Sequence, residues 1–140
     1  FNVDTLVEVI LMPIRVVLAD DHEGIRTAIR CLLEHSSEIV IVGEADNGKA
    51  ALNLVREKEP DVLILDVAMP GMSGLEVMHE LSVTRSPVRI LLLSAYANYY
   101  ALQKMSSSTS AKFMEKKDIA PLLLDVVREL ASLGPAQAVH

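Results

Sequence analysis

The sequence of 140 residues has no tryptophan, a single cysteine, two phenylalanines and three tyrosines. One cysteine, Cys31, excludes an intramolecular disulfide and a cysteine-based zinc cluster. Positive charge is scarce too: 13 Lys and Arg stand against 19 Asp and Glu, a formal net charge of −6. A nucleic-acid-binding surface needs clustered cations to neutralise phosphates, so direct nucleic-acid binding by this chain is not expected. No apolar run approaches the roughly 18 residues that cross a bilayer. The first eleven residues carry Asp4 and Glu8 and no basic residue, which is not the pattern of a secretory signal. What is present is a chain 51% hydrophobic, mostly aliphatic, with core enough for one domain and not comfortably two. These features predict a cytoplasmic protein with no membrane association.

Apolar runs of strand length alternate with segments of helical period from Ile14 onward. The strand-like runs are Ile14–Ala19, Ile39–Val42, Val62–Leu65, Val88–Leu93 and a weaker Ala111–Met114. Between them, Ile25, Ala28, Ile29, Leu32 and Leu33 lie on one helical face, as do Ala51, Leu54 and Val55 before Pro60, and Leu75, Met78 and Leu81. Asp46-Asn47-Gly48 and the loop holding Pro70, Gly71 and Gly74 read as turns. Asp118 is placed to N-cap a last helix with Ile119, Leu122, Leu123, Val126 and Leu130 inward and Pro121 in its first turn. The serine-rich stretch 106–110 predicts a short or frayed fourth helix. Strands that are apolar throughout are buried on both faces, which requires a parallel sheet covered by helices. The expectation is an α/β fold: an open, doubly wound, five-stranded parallel sheet of flavodoxin-like (βα)5 type, strand order 2-1-3-4-5. Residues 14–133 form this domain. Residues 1–13 read as an N-terminal extension, or as an added strand or partner contact through Val7, Val9, Ile10 and Leu11. Residues 134–140 read as a tail, too short for a second domain.

In an open parallel sheet ligands bind beyond the carboxyl ends of the strands. There the first run ends in Asp20-Asp21, the third in Asp66, the fourth in Ser94, and the fifth reaches Lys116. Singly these residues mean little: an aspartate after a strand commonly caps the next helix, and a lysine there is usually solvated. At the ends of four strands they form a set. Three clustered carboxylates repel one another, and a hard divalent cation such as Mg²⁺ offsets that repulsion. Asp66 is then a candidate nucleophile able to form an acyl phosphate, with Ser94 and Lys116 holding phosphoryl oxygens.

The run Val16-Val17-Leu18-Ala19-Asp20-Asp21-His22, together with Asp61-Val62-Leu63-Ile64-Leu65-Asp66-Val67-Ala68-Met69-Pro70-Gly71-Met72-Ser73-Gly74, resembles the receiver domain of two-component response regulators. With Val42-Gly43-Glu44-Ala45 and Asn47-Gly48, the text resembles most the NarL/FixJ (LuxR-type) class over about residues 14–133. The resemblance implies that Asp66 is the phosphoacceptor and that Asp20 and Asp21 hold Mg²⁺ with Asp66 and the backbone carbonyl of Ala68. It matches Ser94, followed by Ala95, to a switch hydroxyl, Lys116 to the family lysine, and Phe113 to the switch aromatic three residues earlier. It implies a sensor histidine kinase or phosphotransfer protein as partner, with a homodimer also in view. It implies a domain that assists its own phosphoryl transfer and dephosphorylation, not a turnover enzyme. Output then belongs either to a stand-alone receiver or to the receiver part of a transcriptional regulator.

The chain departs from the family in three places. Thr109-Ser110-Ala111-Lys112 replaces the usual Gly-Ala turn, Phe113 lacks a hydroxyl, and Lys117 follows Lys116 where proline is common. The competing reading is a degenerate receiver acting as a constitutive protein-binding module, which would show a lost site residue; none is lost. A haloacid-dehalogenase-like phosphatase would need an aspartate at Ala68. His22 reads as a helix-start residue near the site, Cys31 as core, and Tyr96, Tyr99 and Tyr100 as residues shaping the rim.

Overall fold

The computed structural model describes residues 12–95 and 111–136. Five strands, β1 (Ile14–Ala19), β2 (Ile39–Ala45), β3 (Val62–Asp66), β4 (Arg89–Ser94) and β5 (Lys112–Glu115), form one parallel sheet in the order β2-β1-β3-β4-β5. Helices α1 (Glu23–Glu34), α2 (Gly48–Lys58), α3 (Gly74–Val83) and α4 (Ile119–Ser132) cover it. The flavodoxin-like expectation holds. The expected fourth helix, the serine-rich stretch, the three tyrosines and the apolar residues of the N-terminal extension lie outside the described residues.

Alternation along the strands sends the core to two sides. Val17, Ala19, Leu63, Leu65, Ile90 and Leu92 pack with residues of α2 and α3, such as Val55, Val77 and Leu81. Val16, Leu18, Val62, Ile64, Leu91 and Leu93 pack with Ile29 and Leu33 of α1 and with Leu123, Val127 and Leu130 of α4. A strand buried on both faces can be apolar at every position, which is why β3 is buried along its whole length.

Local sequence sets the helix ends. The Asn47 side chain accepts from the Ala50 N–H at 2.9 Å at the start of α2, and Ser73 accepts from the Glu76 N–H at 3.2 Å at the start of α3. Asp118 occupies the N-cap position of α4 but makes no capping hydrogen bond, because a 3-10 turn over Lys116–Asp118 feeds straight into the helix. Leu122 is exposed and Val127 takes the inward place instead. Cys31 is exposed, not core. β2 runs three residues beyond Val42, since its pairing with β1 skips that residue and resumes at Val17↔Gly43. At the amino end of the sheet the Arg89 guanidinium donates to the carbonyls of Gly134 at 2.8 Å and of Leu133 and Pro135 at 3.4 Å. The Ala136 N–H donates to the Pro87 carbonyl at 2.8 Å beside it.

Candidate functional site

The carboxyl ends of β1, β3 and β5 bring four of the predicted side chains together. Asp20, fully buried, follows β1; its N–H donates to the Ala45 carbonyl at 3.1 Å, and its Oδ1 accepts from the His22 N–H at 2.8 Å. Asp66 is the last residue of β3, paired opposite Leu93 of β4, and is 2% exposed. Its Oδ1 accepts from the Ala68 N–H at 3.3 Å. Lys116 Nζ reaches in just past β5 to 2.9 Å from Asp20 Oδ2 and 3.3 Å from Asp66 Oδ2. Ligand atoms of Asp20, Asp21, His22 and Asp66 all lie within 4.8 Å of one another.

The other predicted residues border this group. Ser94 ends β4 and stands opposite Glu115, the residue before Lys116. Ala95 after it is exposed. Phe113 stands opposite Leu92, its half-buried ring packed against the core on the α2–α3 side. Ala68 is exposed and supplies its N–H to Asp66. His22 occupies the N-cap position of α1 with its ring exposed, 3.2 Å from Asp21 Oδ1.

Two buried oxygens in the cluster, Asp20 Oδ2 and Asp21 Oδ1, accept no hydrogen bond. Lys116 Nζ lies 2.9 Å from the first as an ion pair. Three carboxylates facing one ammonium leave negative charge uncompensated, and every donor among them is a hard oxygen. The site fits a small hard divalent cation. Its electrostatics agree: burial first, then the charge of Asp20, push Asp66 up to about 6, against the pull of Lys116 and the Ala68 N–H. Burial draws Lys116 down, but its contact with Asp20 and the charges of the two neighbouring carboxylates outweigh it, and its pKa is raised. The lysine is therefore a fixed cation at neutral pH.

Sequence reasoning missed a second layer. Arg26 of α1 donates from Nη1 to the Asp20 carbonyl at 2.7 Å, and its Nε lies 3.9 Å from Glu44 Oε1. Arg30, one turn on, donates to both Glu44 oxygens at 2.7 and 2.8 Å. The Arg30 bond holds Glu44 below the usual carboxylate range. The i, i+4 arginines were visible in the sequence, but Glu44 comes from another element and no spacing links them.

The family described as "Response regulator receiver domain" matches this chain over residues 16–128. A NarL transcriptional regulatory protein of Mycobacterium tuberculosis is 35% identical over 127 residues, which cover 88% of this chain and 59% of the relative. The nitrate/nitrite response regulator NarL of Escherichia coli K12 is 34% identical over 116 residues, covering 79% and 53% respectively. A solved signal receiver domain of an M. tuberculosis NarL response regulator superposes with a TM-score of 0.69 at 35% identity, over 84% of this chain and 98% of that one. A DNA-binding response regulator of the LuxR family from Staphylococcus aureus gives 0.75 at 25% identity, over 84% and 98%. The chain belongs to the receiver-domain family of two-component response regulators. Within that family it is a receiver of the NarL/LuxR class. It spans little more than half the length of the curated relatives it matches. A receiver is a signalling module, and receiver domains generally bind Mg²⁺. No helix among the described residues is long and apolar enough to cross a membrane.

Proposed function

We propose that this receiver accepts a phosphoryl group on Asp66 from a sensor histidine kinase or phosphotransfer protein, with Mg²⁺ held by Asp20, Asp21, Asp66 and the Ala68 carbonyl. The observation that carries the reading is the convergence of Asp20 and Asp66 on the Lys116 ammonium, at 2.9 and 3.3 Å. Mg²⁺, when bound, neutralises charge developing on the phosphoryl oxygens. An Asp66 carboxylate oxygen forms the new P–O bond as the P–N bond to the donor histidine breaks, and the leaving imidazole takes up a proton. Lys116 and the Ser94 hydroxyl hold the remaining phosphoryl oxygens. The change is then passed through Ser94 and Phe113 to a protein-interaction surface, as the receiver part of a transcriptional regulator.

Acetyl phosphate with Mg²⁺ should add one phosphoryl group, seen as a single mass increment. Asp66→Asn should abolish it, and chelation should suppress it in the wild type. A stable modification at His22 or Ser94 in its place would sink the assignment.

A further inference from the structure

The acidic turn is tied at two points, to the edge strand β2 directly and to Arg26 of α1. The Asp20 N–H bonds the Ala45 carbonyl, and the Asp20 carbonyl bonds the guanidinium of Arg26. Arg26 is itself drawn towards Glu44, the β2 residue next to Ala45, and Glu44 is fixed by its two bonds to Arg30. The Arg26 side chain is 18% exposed, so its tie to the carbonyl is largely shielded from competing water. The turn it closes is under load, because Asp20, Asp21 and Asp66 present like charges within a few ångströms.

From this geometry we infer that Arg26 is a positioning residue: it fixes the main chain of Asp20, so that Asp20 and Asp21 keep the spacing a cation needs, with Glu44 and Arg30 as its anchor. The inference rests on the metal and phosphoryl reading above. Two roles of the guanidinium have opposite signs. As a positive charge beside the site it repels a cation, and its removal would tighten Mg²⁺ binding. As a clamp it preorganises the ligands, and its removal weakens binding. Lysine keeps the charge but cannot bond the carbonyl and face Glu44 through one planar group. It should not rescue.

The test uses the whole chain with Arg26→Lys and Arg26→Gln, and two readouts on the folded protein. Amide exchange of His22, whose N–H bonds Asp20, is measured without metal; both variants should exchange about tenfold faster. Amide-shift titration with Mg²⁺ should give a dissociation constant raised about tenfold in both, the scale typical of partners just outside a metal's ligands. Glu44→Gln should shift both readouts in the same direction by less, and it stands in if the Arg26 variants fail to fold. Unchanged His22 exchange, or Mg²⁺ binding that is unchanged in Arg26→Lys or tighter in Arg26→Gln, would overturn the proposal. A residue that merely stabilised the fold would lower the melting temperature and leave the Mg²⁺ constant alone. If wild-type protein ignores Mg²⁺, the functional reading fails, and the exchange readout decides the positioning role by itself.

Discussion

Asp66 is almost fully buried, yet the role proposed for it requires a charged carboxylate. Burial and the neighbouring Asp20 raise it to about 6, so the native protein holds a proton there more tightly than the unfolded chain. A carboxyl raised in this way stabilises the fold in its protonated form. That contribution is complete below pH 3.8 and is lost as pH rises through about 6. A shift of this size corresponds to about 3 kcal/mol. In chelator, Asp66→Asn should therefore be more stable than wild type at pH 7.5, and the gap should shrink towards pH 4.5. Urea denaturation at the two pH values checks this, and a pH-independent gap would point to another group. Saturating Mg²⁺ should narrow the gap at pH 7.5, because a cation bound only to the folded state takes over the role of the proton. Asp20, Asp21, Asp66, Ser94 and Lys116 were all legible in the sequence, because each ends or follows an apolar run. Arg26 and Glu44 were not, because their partnership exists only once α1 lies across the end of β2.

The link between β3 and α3 is where an element carries the site. The Gly74 N–H donates to the Val67 carbonyl at 2.8 Å, and a Cβ added to Gly74 would stand 2.1 Å from the Asp66 carbonyl oxygen. The obstruction is main chain and cannot rotate away. Gly74→Ala should thus lose about 2–3 kcal/mol despite alanine's better helix propensity, and should slow phosphorylation by displacing Asp66. Gly24→Ala in α1, where nothing lies within 4 Å, should gain about 0.5 kcal/mol. Thermal melts of the pair separate crowding from propensity; two gains would refute the crowding. The strands were readable because burial on both faces leaves runs with no polar interruption. The end of β2 was not: the apolar run stops at Val42, whereas in the sheet the skipped pairing at Val42 carries the strand on through Gly43, Glu44 and Ala45. On the inward face of α4, Ile119, Leu123, Val126 and Leu130 pack as expected, while Leu122 is exposed and Val127, which was not expected inward, is buried.

In the proposed function the whole molecule converts one added group into a changed surface. Ser94 and Phe113 belong to adjacent strands at the edge of the sheet, with the Phe113 ring half-buried against the core. Ser94→Ala should leave phosphorylation of Asp66 largely intact while reducing the response of Ala95 and residues 111–116. Amide shifts with and without beryllofluoride, a phosphoryl mimic, measure this, and an equal response in both proteins would refute the coupling. β4 also has a second end. Ser94 lies at the carboxylate rim, while Arg89 at the opposite pole gathers the carbonyls of residues 133–135. Five strand steps separate the two by about 17 Å. Whatever binds at the rim therefore meets β4 one strand length away from the carbonyls that Arg89 holds.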